Sequence, residues 1–404
     1  MGRGVAIIGF CAYLAAYPAL PGETPSPLPQ HDLKHMLKVT WRRGPDLPQG
    51  FQDSHGGFLG STLITVGGFC SGLDDSLKPG HYPRGFLKKA WGLDLMKPAR
   101  GWVRLPDFPG DARQGLSCTP VGQALYCWGG FSYSAPYTYE DGYRLSKRRK
   151  QWTWDALPPL PSPTCASGLC AVGTRIYASG GADYDANKFY TETDRAGGNP
   201  RLGARLLTLD TQHLGAGWKR LAECPGTPRW VHAVAAVDGK IYVIGGATGE
   251  RPVSKEVATY CTVVDNWRYD PGQDKWTRIR DLPVSSGNFP AGNIAFHDRY
   301  LVLVGGYQYA KVAQPDGTIR DKYGTAPRFD GKGDYFNDVF VYDTKADLFG
   351  TADPLPINNN LPMAVVRGDE VFLIGGEADA RVIDGEYYGH HPDLLLQGKI
   401  SEYP

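Results

Sequence analysis

Six times along the chain a short apolar run ends in two adjacent glycines: "LITVGG" (63–68), "LYCWGG" (125–130), "IYASGG" (176–181), "IYVIGG" (241–246), "LVLVGG" (301–306) and "VFLIGG" (371–376). The runs are rich in β-branched and aromatic residues, which suits strands. The doublets recur at intervals of 62, 51, 65, 60 and 70 residues, so one supersecondary unit is repeated. After most doublets comes an alternating strand ("WGLDLM", "RLLTLD", "NWRYD", "DVFVYD"), then a tryptophan strand with a proline stop ("WVRLPDFP", "WTWDALPPLP", "WKRLAECP", "WTRIRDLP"). Each unit is therefore read as four strands. In the fifth, Phe349 of "DLFGTADPLP" replaces the tryptophan.

A four-stranded unit with two apolar faces cannot bury both alone, so repeats must stack, and a ring of them leaves no open edge. After the sixth doublet only "KISEYP" remains as a strand and no tryptophan strand follows, whereas "LKVTWRRGPDLP" precedes the first doublet without a unit of its own. Residues 37–43 are accordingly expected beside 399–404. The fold class expected is all-β: a six-bladed propeller whose last blade is completed by the N-terminal strand. Gly 52, Pro 32 and 12% aromatics fit many short strands joined by turns.

The order of glycine doublet, Tyr-Asp or Leu-Asp strand and tryptophan resembles the kelch repeat, over roughly residues 38–404. Within that group the chain is most similar to the bacterial sialic acid mutarotases, also called N-acetylneuraminate epimerases, on its six units, its N-terminal apolar segment, the long polar stretch leading into "YFNDVFVYD", and the closing "LIGGE". The resemblance implies a secreted enzyme that interconverts the anomers of a free sugar acid. It also implies a catalytic Glu just past a glycine-containing strand end, with an Arg a few residues on. "GGEADAR" supplies Glu377 and Arg381 in that arrangement; in "GGATGER" Ala247 holds the equivalent spot, with Glu250 and Arg251 displaced by three residues.

Hemiketal opening and reclosure need one group to take the anomeric proton and another to protonate the ring oxygen, so a carboxylate and an acid or cation suffice without metal or cofactor. The catalytic candidates are Glu377 as base, Arg381 as carboxylate or oxyanion contact, and His232 or Glu250 as second proton carrier. Arg229, Arg251, His55, Arg113, Asn288, Tyr307 and Asn360, on segments that converge at one mouth of a propeller, are candidate sugar contacts. For Glu377 a rival duty stays open: capping the turn by accepting backbone N–H bonds. A secreted glycan- or protein-binding propeller without catalysis is the alternative function.

Residues 1–20 read as a secretory signal peptide, with Arg3 followed by an apolar run, and 21–36 as a Pro-rich linker to a propeller over 37–404. Location is thus expected to be secreted or periplasmic, with no membrane span once the signal is removed. With 43 basic and 42 acidic residues the net charge is +1, which gives no global field toward nucleic acid. The partner expected is a small carbohydrate. Cys118 and Cys127 fall opposite each other if Gly122 and Gln123 form a two-residue turn; a cross-strand disulfide and a pair of buried thiols both fit. Cys/His spacings do not resemble a zinc site, and the residues a copper radical oxidase or an iron-binding specifier protein needs do not recur here.

Overall fold

The glycine doublets decide where strands stop. Both glycines adopt positive φ wherever their angles are given together, for example 59° and 98° at Gly375 and Gly376. Glycine adopts these angles without a Cβ penalty. A β-carbon on Gly375 would also strike the Phe51 carbonyl of the neighbouring repeat, so close backbone approach is a second reason for the residue. The computed structural model describes residues 33–403 apart from 73–82, 186–187, 191–201, 251–258, 288–292, 309–310, 314–318, 322–334 and 384–385.

The chain has an all-β, propeller-like fold in which the only helical segments among the described residues are short 3-10 turns. Four sheets are separate four-stranded antiparallel meanders, and one sheet has eight strands. In the eight-stranded sheet, strands 295–296, 300–304, 339–343 and 348–352 form one antiparallel run and 363–367, 370–374, 395–402 and 35–43 another. The two runs meet only through a parallel contact, His35 with Thr351 and Leu37 with Ala352. The N-terminal strand pairs antiparallel with the C-terminal one, from Leu37 opposite Glu402 to Arg43 opposite Leu396. That strand is Leu395–Glu402, longer at its start than "KISEYP" alone suggests.

Burial lies between consecutive sheets. Leu59, Ile64 and Val66 pack with Leu125, Cys127 and Leu145; Leu63 and Leu93 pack with Phe372 and Ile374 across the junction of the chain's two ends. Fully burying such a side chain contributes roughly 1.5–3 kcal/mol, so the stacked faces and not the short strands hold the ring together.

Tryptophans tie four of the repeats to the one before. Indole Nε1 of Trp154 donates to the Pro106 carbonyl at 2.9 Å, Trp276 to Ala222 at 2.7 Å, Trp102 to Pro45 at 3.0 Å and Trp41 to Asp353 at 3.4 Å. Phe349 cannot donate; what remains at that junction is the Arg280 N–H to Asp347 Oδ1 bond at 2.8 Å, whose counterpart beside Trp276 is Ala222 N–H to Asp274 Oδ1 at 2.9 Å. Tyr342 Oη, donating to the same Asp347 at 2.7 Å, holds that carboxylate in place. Cys118 is opposite Cys127 as the turn predicts, and both side chains are buried. No helix among the described residues is long and apolar enough to cross a membrane; residues 1–32, where the signal and most of the linker are expected, lie outside the described residues.

Candidate functional site

At the doublet end of the strands, the residue after each doublet bridges to a residue leading into the first strand of a sheet: Phe69 to Gln52, Phe131 to Gln114, Ala182 to Cys165, Ala247 to Trp230, Tyr307 to Gly287 and Glu377 to Asn360. The next residue on the incoming side has positive φ at Asp53, Gly115, Ala166, Val231 and Leu361. Backbone hydrogen bonds link these in sequence: Val231 N–H to Ala166, Ala166 to Gly115, Gly115 to Asp53 and Asp53 to Leu361, at 2.9–3.4 Å. Successive repeats thus converge at one mouth.

Acids are rare at these positions. Glu377 is the one acid among the six that follow a doublet, and Asp53 the one acid among the five linked residues. They sit on the same junction, because Asp53 N–H donates to Leu361 O next to Asn360, and the Asn360 amide donates to Glu377 Oε2 at 3.3 Å. Glu377 is 7% exposed and Asp53 6%. Asp53 Oδ1 lies 3.2 Å from Nε2 of His55.

His391 completes the Glu377 side. Its Nδ1 accepts the Ser71 N–H at 3.0 Å, which leaves the ring proton on Nε2. A β-carbon on Gly389 would collide with Glu377 Oε1 and fall 2.9 Å from His391 Nε2, so a glycine is needed there to let both groups reach the same spot. Burial, with the His390 and Arg84 charges adding, pushes the His391 pKa down to about 3 against a Phe69 backbone hydrogen bond, and the ring is neutral at pH 7.

The wall is aromatic. Tyr133 meets Phe86 edge-on at 4.8 Å between centroids, Phe86 meets Phe69 at 5.1 Å, and Phe131 lies 4.6 Å from Tyr184. Tyr133 remains 38% exposed. Its hydroxyl titrates above the usual range: desolvation raises it, Arg84 opposes, and the Glu377 and Asp53 carboxylates raise it further. A cation, two carboxylates and a tyrosine hydroxyl therefore share one aromatic-lined mouth, chemistry suited to stacking a sugar ring while moving a proton.

The structure brings Glu377, Asn360 and His55 to this junction. Tyr307 takes the matching place in the fifth repeat, with its ring 6.0 Å from Tyr335. Glu250 and Arg381 lie in the hairpins Ala247–Glu250/Thr259–Thr262 and Asp379–Ile383/Glu386–His390, with side chains outside the described residues; Arg251 and Asn288 lie wholly outside.

Three expectations are corrected. Arg113 and Arg229, each 1% exposed, serve as internal clamps and not as sugar contacts. Arg229 pairs with the Asp265 carboxylate and donates to the Gly245 and Asp265 carbonyls; Arg113 pairs with Asp141 and donates to Gly129 O. Asn359 makes the same reach to Gly375 O at 2.9 Å, so this position ties down the first glycine of a doublet. Burial raises the Asp265 pKa, but Arg229, Trp267 and Thr227 more than offset this and hold it below the usual carboxylate range. His232, 1% exposed, sits against Gly168 and Gly180 between the third and fourth sheets, and burial with Arg229 nearby lowers its pKa to about 3. A ring enclosed in that way cannot hand a proton to a solute.

Sequence reasoning missed Arg84, Tyr133 and His391 as site members. His391 closes the run "GHH", but its partner Ser71 is 320 residues away in sequence.

A family model described as N-acetylneuraminate epimerase matches residues 197–377, a span that ends on Glu377. The chain resembles the N-acetylneuraminate epimerases. The Pasteurella multocida epimerase is 24% identical over 366 residues, covering 83% of this chain and 88% of that relative. The Escherichia coli O6:H1 and Yersinia pestis epimerases, 24% and 27% identical, match 44% and 50% of this chain and only about half of their own length. A solved structure described as "Structure of YjhT" superposes with a TM-score of 0.60 at 15% identity, over 88% of this chain and 99% of that one, a likeness of fold.

Proposed function

We propose that the chain is a six-bladed kelch propeller that acts as a mutarotase on a free sugar acid of sialic acid type. Two observations support six blades: the eight-stranded sheet divides into two antiparallel runs of four, and the bridge after the doublet occurs six times. The similarity to N-acetylneuraminate epimerases supports the reaction class.

The observation that carries the reading is Glu377: a buried carboxylate, singular among its equivalents, held by Asn360 beside an aromatic wall that also feels its charge. In this role Glu377 takes the proton of the anomeric hydroxyl as the ring opens and returns it to either face on closure. Positioned proton transfer of this kind contributes typically ~10²–10⁴-fold in rate. Neutral His391 keeps a second positive charge away from Glu377, while Arg84 supplies the cation that a sugar carboxylate would meet. Tyr307 and Asn360 fit as further contacts, and Arg381, Arg251, Glu250 and Asn288 stay candidates on the surrounding segments. No metal or cofactor enters this chemistry. Export of the mature propeller (37–404) from a signal (1–20) and linker (21–36), to a secreted or periplasmic location, belongs to the same proposal.

The Asn360 to Glu377 hydrogen bond also favours a second reading, a non-catalytic glycan-binding propeller in which the carboxylate only fastens the turn. Anomer equilibration across a panel of acidic and neutral monosaccharides, followed by NMR on freshly dissolved single anomers, tests the first reading. Acceleration for a sugar acid supports it. Saturable binding with no acceleration of any sugar moves the assignment to the second.

A further inference from the structure

We propose that Asp53, oriented by His55, is the second proton carrier of this site, the group that protonates the ring oxygen as Glu377 deprotonates the anomeric hydroxyl. The inference rests on the mutarotase reading and adds a residue to it. In the linked residues at the mouth, the other described positions are Gly115, Ala166, Val231 and Leu361, which offer no proton. Positive φ at Asp53 belongs to the fold, since all five share it; an acid there is not needed for the backbone. Its Oδ2 lies over Gly115, 3.5 Å from where a β-carbon would begin, beside the Phe131 ring, which comes within 3.1 Å of the same point. Its Oδ1 is taken by His55. One oxygen is thus held by His55 and the other lies beside Phe131 of the aromatic wall, where Tyr133 registers both Asp53 and Glu377. The step needs Asp53 in its acid form and Glu377 ionised: one proton leaves the anomeric oxygen for Glu377 as another passes from Asp53 to the ring oxygen, the negative charge moves from Glu377 to Asp53, and closure reverses both transfers.

The test compares Asp53→Asn with wild type in two assays, anomer exchange of a sugar acid by two-dimensional exchange NMR and binding of the same sugar by saturation-transfer NMR. Asparagine tolerates positive φ, so the variant should fold; a thermal melt within a few degrees of wild type checks this, and His55→Asn is the second variant. The expected result is exchange slowed at least tenfold by Asp53→Asn with binding changed less than twofold, and a smaller slowing for His55→Asn. Exchange within twofold of wild type in Asp53→Asn overturns the inference and leaves the mutarotase reading intact. Wild-type protein that binds the sugar without accelerating exchange overturns that reading, and this inference with it.

A different observation carries a second inference, independent of catalysis. The hairpin of strands Ser117–Val121 and Ala124–Trp128 turns through Gly122 and Gln123, with Gly122 at φ 57°, as a glycine-first two-residue loop requires. Val121 and Ala124 flank the loop as its hydrogen-bonded pair, and pairing then alternates, which makes Cys118 and Cys127 a non-hydrogen-bonded pair. Pro120, lacking an N–H, occupies the same kind of position. At such pairs the Cα atoms are about 4.5 Å apart, within the range a disulfide spans. We infer that Cys118 and Cys127 are a disulfide site: the two Sγ atoms bond, giving up two protons and two electrons to a disulfide-bearing oxidant that leaves as a dithiol. Both residues are at most 1% exposed, so oxidation should occur during folding. Refolding with and without oxidised glutathione, then alkylation in denaturant and peptide mass measurement, reads this directly. The peptide carrying both residues should be unalkylated and 2 Da lighter after oxidative refolding. Recovery of both thiols fully alkylated in folded protein overturns the inference.

Discussion

Two kinds of buried charge stand beside the glycine doublets, and they differ in what surrounds them. In the second and fourth sheets a guanidinium is enclosed with its own carboxylate and with carbonyls of the turn it ties down, as with Arg229, Asp265 and Gly245 O. At the junction of the chain's two ends, Glu377 and Asp53 are equally buried but meet amides, histidines and aromatic rings bordering an opening. The first arrangement satisfies each charge internally and so serves the fold. The second sets acids at the edge of an opening, which is the arrangement a proton-transfer site needs. Charge and burial alone do not separate the two; the partners do.

The largest effect that would break this comparison is on stability. Arg229→Ala should strand the Asp265 carboxylate and cost about 3–5 kcal/mol in denaturant unfolding. A loss below about 1 kcal/mol would remove Arg229 from the clamps. Because the folded Asp265 pKa is depressed, its stabilisation is present above the unfolded carboxylate pKa and is lost as pH falls through the folded value; wild-type stability should drop below about pH 4, with less of a drop in Arg229→Ala.

Next in size, Gly389→Ala should push Glu377 away from its place and slow anomer exchange about tenfold or more, while sheets and thermal melt change little. Unchanged exchange would show that Glu377 does not need that space. His232 gives a third, graded effect. Its folded pKa of about 3 is below the unfolded value, so it favours folding fully above the unfolded pKa, and this contribution declines as pH falls from about 6.5 toward 3. His232→Gln should flatten that part of the stability profile without altering sugar exchange at pH 7. The smallest expected effect is at Tyr133: Tyr133→Phe keeps the aromatic wall and should weaken sugar binding by a few fold, measured by titration.

The repeat was legible because the doublets and tryptophan strands are local signals, and the closing of the last sheet because an orphan tryptophan strand at one end matches a missing one at the other. What could not be read was the partner of each charge. Arg229 and Arg113 look like mouth residues from their place before a strand, but Asp265 and Asp141 come 36 and 28 residues later, and only the fold brings them together. His391 has the same history with Ser71. Phe349 in place of tryptophan removes an indole donor and leaves the Asp347 bond, which the fourth repeat has in addition to its tryptophan, as the tie to the neighbouring sheet.

Glu377→Gln tests the central claim most directly, because the amide can still accept from Asn360 but cannot serve as a base. Anomer exchange of a sugar acid should fall by about two orders of magnitude or more, with the melting temperature and sugar affinity near wild type. Exchange as fast as wild type in a folded Glu377→Gln protein would contradict the account and leave the carboxylate as a turn cap.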